Sequence, residues 1–299
     1  MNVEIGLSAA IAAFRDGRPA FYVADDALPS GAFDPSRHRT FERALRDWAL
    51  EQTGLMLGYV EQLYTFGDRG RHSVGADTGG THVVSVGYLA LTRADEQAGE
   101  GGTPWRDWYE LLPWEDWREG RPAMTDRLIV PGLRAWASEG TDVAARERRI
   151  ALNFGAEFDD ERALDRYELL YEAGMLPEAV RDGRGAGGTV LPGRAMRHDH
   201  RRIAATAIAR LRSKVRYRPV IFEMMPDAFT LFELQRAAEA IAGRPLHKQN
   251  FRRLVESAGL VEPTGGFSAS KRGRPAALFR FRREIVTRSA ATGLRLGRR

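Results

Sequence analysis

Lys248, Gln249, Asn250, Arg252 and Arg253 form a short run of side chains suited to reading base-pair edges and gripping phosphates. Arginine pairs bidentately with guanine, and asparagine or glutamine with adenine. A second basic group, Lys271, Arg272 and Arg274, follows around Gly273. A basic, glycine-containing loop suits the DNA backbone or a narrow minor groove, which attracts arginine. The alternative reading is a solvated basic helix followed by a flexible loop. Chemistry of other kinds has less support. The six histidines show no H-E-x-x-H or comparable spacing, and His198 and His200 fall at an expected helix start rather than on a metal. The absence of cysteine rules out disulfides and any cysteine-containing zinc site, and fits a reducing, cytoplasmic setting.

These groups need elements to hold them. Ile203, Ala207, Leu211 and Val215 recur every four residues and predict a helix over 198–216, flanked by arginines and ended by Pro219. Thr230 and Glu233 form a capping box for a helix over 230–242, with Leu231, Leu234, Ala238 and Ile241 on its buried face and Gly243 as its stop. A third helix over 247–258 turns Phe251, Leu254, Val255 and Ala258 inward and ends at Gly259. The basic run is thereby left at its N-terminal and outer surface, where recognition helices meet the major groove. LVEP and AALFRF then read as two strands joined by TGGFSASKRGRP. Helix, turn, helix and hairpin make a winged helix-turn-helix in outline.

Charge agrees with this division. Residues 194–299 hold 24 Lys and Arg against 8 Asp and Glu, a net +16, whereas residues 1–193 hold 21 against 32, a net −11. Such an asymmetry suggests that one half meets a polyanion. Nucleic acid is favoured over membrane because no basic amphipathic helix with a Trp/Phe face accompanies the charge. At 299 residues the chain has room for two domains. No run approaches the roughly 18 apolar residues of a membrane span, and the acid in MNVEIGLSAAIAAF does not suit a signal peptide.

Toward the N-terminus, FYVA (21–24) reads as a short strand and LPSGAFDP as a turn-rich segment. Phe41, Ala44, Leu45 and Trp48 share one face of a helix that Gly54 ends near Thr53. Residues 57–66 and 81–91 read as strands around a polar loop, 67–80, expected to be mobile. Trp105, Trp108, Trp114 and Trp117 are expected to pack their segment onto the domain, and residues 139–180 to be mostly helical. DGRGAGGTVLPG (182–193) is the clearest linker-like run.

The order of HDHRRIAATAIARLRSKVRYRP, MPDAFTLFELQRAAEAIAG, NFRRLVESAGL and KRGRPAALFRF closely resembles the C-terminal part of the Nudix-related transcriptional regulators of NAD metabolism, over about 85 residues (198–282). The resemblance implies an α/β fold: a Nudix-like α/β/α sandwich followed by a winged helix-turn-helix domain. It also implies a homodimer that represses NAD biosynthesis or salvage genes by binding a palindromic operator in double-stranded DNA. A long insert departs from short members and is more like the variant NAD regulators of alphaproteobacteria. The domains are accordingly expected at 1–180 (with a helical insert at about 95–180), a linker at 181–197, a connecting helix plus winged helix at 198–285, and a disordered basic tail at 286–299. The connecting helix is expected to contribute to the dimer interface.

Residues 28–66 resemble the family's N-terminal domain. A working Nudix hydrolase reads G-x5-E-x7-R-E-U-x-E-E-x-G-U, with U apolar, and its glutamates hold the magnesium ions that activate water. Aligned on Gly54 and Leu55, the paired glutamates fall on Glu51 and Gln52, the arginine on Asp47, the glutamate beside it on Trp48, and the early glutamate on Arg39. One carboxylate survives, so the expectation is no enzyme and no required cofactor, but a cleft for an effector: ADP-ribose or another NAD-related adenine nucleotide. Candidate contacts are Arg37, Arg39, Glu51, Gln52, Gln62, Tyr64 and Phe66. Arginine would pair with phosphate and the aromatics would stack adenine. Strand packing serves Tyr64 and Phe66 equally well, and Glu51 reads equally as a solvated acid. Competing readings are an active hydrolase of ADP-ribose with a nucleic-acid-binding tail, and a nucleic-acid adaptor without a ligand.

Overall fold

The computed structural model describes residues 2–68, 81–93, 104–185, 188–268 and 275–282. Its sheet is built around β1 (Asn2–Arg15). β2 (Arg18–Tyr22) and β3 (Ser30–Ala32) pair antiparallel with its two halves. β4 (Val60–Phe66) runs antiparallel to β5 (Thr81–Leu91), which lies parallel to β1, and β6 (Trp105–Asp107) extends the far edge beside β2. The strand expected at 81–91 has those bounds. β1, the longest and most central, was not expected, because GLSAAIAAF does not alternate. Leu7, Ala9 and Ile11 pack on one face of the sheet, and Ala10 and Ala12 on the other. A strand covered on both faces loses the period of two that betrays a half-exposed one.

Each face carries a helix. α1 (Phe41–Thr53) starts at Thr40, whose hydroxyl accepts from the Arg43 N–H, and stops at Gly54 in the left-handed region, φ 69°. Its Ala44, Leu45, Trp48 and Ala49 close one face with Val86, Tyr88 and Ala90. An inserted helical layer follows β6: α2 (Trp108–Leu111), α3 (Val130–Ser138), α4 (Val143–Phe154), α5 (Ala163–Glu172) and α6 (Pro177–Arg181). Trp108 and Trp114 are fully buried there, so the tryptophan-rich segment does pack the layer down. The opposite face of the sheet is covered by α7 (His200–Tyr217). This is the helix read from sequence as a connector. It packs on β1, β4 and β5 as well as on α5, and Ile203, Ala207, Leu211 and Val215 are buried as their spacing predicts. The segment expected as a linker, 181–197, is fastened where it is described. Leu191 and Met196 are buried, the Leu191 N–H donates to Met175 O, and Arg194 pairs with Asp26. Its glycines and proline signal irregular backbone, which is packed at Leu191 and Met196, whereas the described residues of 182–190 are largely exposed.

The winged helix comprises α8 (Leu231–Ala242), α9 (Lys248–Ala258), β7 (Val261–Phe267) and β8 (Ala277–Phe281). Phe229 and Phe279 exchange both backbone hydrogen bonds, adding a one-residue antiparallel bridge at the edge of the β7–β8 hairpin. Phe222 stacks on Phe281 at 4.2 Å. The capping box is formed in both directions, Thr230 Oγ1 accepting from the Glu233 N–H and the Glu233 carboxylate from the Thr230 N–H. Thr230→Ala is therefore expected to lower stability by about 1 kcal/mol, measured by thermal or urea denaturation. The helix bounds and stops match expectation because their signals are local: Gly243 and Gly259 both sit in the left-handed region. Among the described residues no helix is long and apolar enough to cross a membrane. The expected mobile loop lies largely, and the basic tail wholly, outside the described residues.

Candidate nucleic-acid interface

The α9 helix is oriented from within. Phe251 and Val255 are buried against α8 and the hairpin, and Leu254 is half-buried. One face being fixed, the helical period sends Lys248, Gln249, Asn250, Arg252 and Arg253 to solvent, where all five are exposed. Among the described residues no hydrogen bond or ion pair engages their side chains. By contrast, Arg280 and Arg282 on or just after β8 both reach Glu262. The exposed set on α9 thus retains its donors and acceptors. Because α9 begins at Lys248, these groups lie in its first two turns, where unpaired backbone N–H groups also favour phosphate. The other candidates, Lys271, Arg272 and Arg274, lie outside the described residues. The strands that would carry them end at Phe267, which is exposed, and begin again at Ala277.

The candidate nucleotide residues are arranged less compactly. Arg37, Arg39 and Glu51 are exposed around the two ends of α1. Gln52 donates to Ser30 O at 3.0 Å, tying α1 to β3. Gln62 accepts from the Tyr88 hydroxyl at 3.4 Å, on the α1 side of the sheet. Tyr64 is half exposed. Phe66 is directed to the other side: a bulge between Gln62 and Thr65 shifts the register, and Phe66 is buried beneath α7 with the Arg202 guanidinium over its ring. Of the two readings left open for Phe66, packing is the one realised. Tyr88, on β5, is a neighbour that no motif in the sequence singles out.

The residues at the hydrolase positions do not suit a magnesium ion. Asp47 is bonded to the Arg43 guanidinium at 2.9 Å. Trp48 is buried with its ring against Gly31, where a Cβ would approach to 3.4 Å. Gln52 turns its amide to a backbone carbonyl, and Glu51 is left as the one carboxylate of the pair. Hard divalent cations need several oxygen ligands, and among the described residues no group of three or more His, Cys, Asp or Glu is placed to hold a metal. A cleft of about 920 Å³ opens elsewhere, between the β1–β2 turn, the insert and α8, and none of the seven candidate residues lines it. Its Arg18 and Arg118 already pair with Asp107 and Asp116.

Residues 221–281 match the profile of the NrtR DNA-binding winged helix domain. Among curated proteins, the ADPR responsive transcriptional repressor NtrR of Acinetobacter baylyi is 42% identical over 83 residues, which span 28% of this chain and 33% of that protein. The match thus covers about a third of that relative's length. Among solved structures, Shewanella oneidensis NrtR complexed with a 27mer DNA aligns over 95% of both chains at 20% identity, TM-score 0.57. A MutT/nudix family protein from Enterococcus faecalis aligns over 94% of this chain and 89% of its own at 14% identity, TM-score 0.55. The fold is that of a Nudix-like α/β/α domain joined to a winged helix. In architecture the chain is NrtR-like, and its C-terminal part carries the NrtR type of winged helix.

Proposed function

We propose that the chain is a DNA-binding transcriptional regulator, a repressor of NAD biosynthesis or salvage genes, controlled by an NAD-related nucleotide bound in the Nudix-like domain. The observation that carries the reading is α9: a helix seated by Phe251 and Val255 that presents two arginines, a lysine and two amides with no partner among the described residues. Its place in a segment matching a DNA-binding winged-helix profile supports base reading rather than a merely solvated surface. DNA binding by the Shewanella protein and ADP-ribose response by the Acinetobacter protein support the same partners here. A homodimer on a palindromic operator is the economical geometry, since two-fold symmetry places two recognition helices one helical turn apart. The nucleotide acts by binding one dimer state better than the other, which is the only way a ligand shifts such an equilibrium.

Selection from a randomised pool of DNA duplexes tests the first part. Enrichment of a two-fold-symmetric sequence is expected, and failure to enrich any sequence would contradict the reading. For the second part, ADP-ribose is expected to raise the melting temperature, by about 2.7 kcal/mol of stabilisation at a hundred times its dissociation constant. Turnover of ADP-ribose with magnesium at catalytic protein levels is not expected, because Trp48 and Gln52 stand where metal-holding carboxylates are needed.

A further inference from the structure

The C-terminal end of α8 is held by groups from outside the winged helix. The last carbonyls of a helix have no partner within it. Here the Tyr109 hydroxyl donates to Ala240 O at 2.6 Å, Arg212 Nε to Ile241 O at 2.9 Å, and the Trp117 N–H to Gly243 O at 2.7 Å. Tyr109 and Trp117 belong to the insert, and Arg212 to α7 on the sheet. The next residue, Arg244, begins the turn into α9 and reaches Asp160 of the insert, which also pairs with Arg216 of α7. Within the turn, Gln235 donates to Leu246 O and the Leu246 N–H donates to Glu239, so α8 and the start of α9 are fastened as one piece.

Beneath these bonds lies a fully buried charge cluster. Glu115 receives Arg166 at 2.6 and 2.7 Å and is also paired with Arg212. All three side chains are at most 2% exposed. Gly243 sits against this cluster: a Cβ there would stand 2.5 Å from Glu115 O and 2.6 Å from an Arg212 guanidinium nitrogen, at a backbone φ of 73°. A glycine is thus required both by the helix stop and by the closeness of the docking.

We infer that the insert is the positioning element of the DNA-binding domain: Tyr109, Glu115, Trp117 and Asp160, with Arg212, set the orientation of α9 relative to the sheet. The inference rests on the DNA-binding reading. It assigns the insert a role in where the recognition helix lies, and places Tyr109 and Glu115 among residues that control duplex affinity without touching DNA.

The chain's lack of cysteine allows a direct test in the full-length protein. Leu50→Cys on α1 and Glu256→Cys on α9, both exposed, carry spin labels, diluted into unlabelled chain so that only distances within one copy are read. Affinity is measured on a duplex selected from a randomised pool by the wild-type protein. The wild type should give one narrow distance distribution. Gly243→Ala should broaden it and weaken duplex binding roughly tenfold. Tyr109→Phe, which removes a single hydroxyl, should do the same to a smaller degree if Gly243→Ala does not fold. Leu45→Ala, in the core between α1 and the sheet, should lower the melting temperature while leaving the distance and the affinity of the folded protein unaltered. An unchanged distance distribution in Tyr109→Phe or folded Gly243→Ala, or an affinity loss that only follows the unfolded fraction as in Leu45→Ala, would overturn the inference. If the wild type selects no duplex, the DNA-binding reading itself fails, whereas the distance measurement still reports whether the insert orients α9.

Discussion

Replacing Arg252 and Arg253 together by alanine is expected to weaken binding to the selected duplex by on the order of a hundredfold, with the fold intact. Each arginine that pairs with a base or a phosphate contributes about 1–3 kcal/mol, and a hundredfold corresponds to about 2.8 kcal/mol, within the range for removing two such side chains. Both side chains are exposed and without a partner among the described residues, so their removal should cost little stability. The two substitutions also report how each residue is used. Removing an arginine that grips a phosphate should make the dependence of log affinity on log salt shallower by about 1. Removing one that pairs with a base should relax the sequence preference at one position. Filter binding or anisotropy at several salt concentrations separates the two. Unchanged affinity in the double variant would mean that α9 is not the reading helix.

The second large effect concerns stability. Glu115→Gln removes the carboxylate that lies between Arg166 and Arg212 and leaves two guanidiniums buried without it. Breaking a buried pair in this way costs about 3–5 kcal/mol, because the remaining charge has neither water nor counter-charge. That is a large part of the roughly 5–15 kcal/mol by which domains are stable. The pH dependence follows from the direction of the shift. Burial pushes the Glu115 carboxyl up, but the charge and hydrogen bonds of Arg166, then of Arg212, more than offset this and hold it below the usual carboxylate range. A group with a lowered folded-state pKa adds stability that is fully present above its unfolded value, about 4.3, and is lost as pH falls through the lower folded value. The gap in melting temperature between wild type and Glu115→Gln should therefore be full at neutral pH and narrow under acid conditions. A gap that stays constant into that range would mean that the ionised carboxylate is not the group responsible.

Neither Glu115 nor its partners stood out in the sequence, and the reason is physical. Arg212 and Arg166 lie on charged helices, and arginine is mostly a surface residue, so nothing local distinguishes a buried guanidinium from a solvated one. Their burial depends on the insert folding over the end of α8, which brings together residues more than ninety positions apart. The same holds for α7. Its apolar spacing was legible, but not that it lies on the sheet formed by residues far upstream. β1 escaped because its central run, LSAAIAAF, is alanine-rich and buried on both faces, which erases the alternation of a half-exposed strand. What was legible is short-range. The Gly54 end of α1, the Thr230–Glu233 capping box, the glycine stops at 243 and 259, and the order of two helices and a hairpin each depend on neighbours within a few residues. The exposure of the α9 candidates was legible for that reason. The nucleotide candidates were less well served, since Phe66 turned to the α7 side through a bulge that no pattern announced.

The central claim, a duplex-reading α9 governed by a nucleotide in a Nudix-like cleft that has lost its metal ligands, is tested most directly by titrating ADP-ribose into the protein bound to its selected duplex at fixed salt. A saturable change in duplex affinity of about fivefold or more is expected, matched by an equal change in ADP-ribose affinity when duplex is present, because the coupling is reciprocal, and accompanied by no hydrolysis of the nucleotide. Duplex affinity indifferent to ADP-ribose at saturating levels, or steady turnover of the nucleotide in the presence of magnesium, would contradict it.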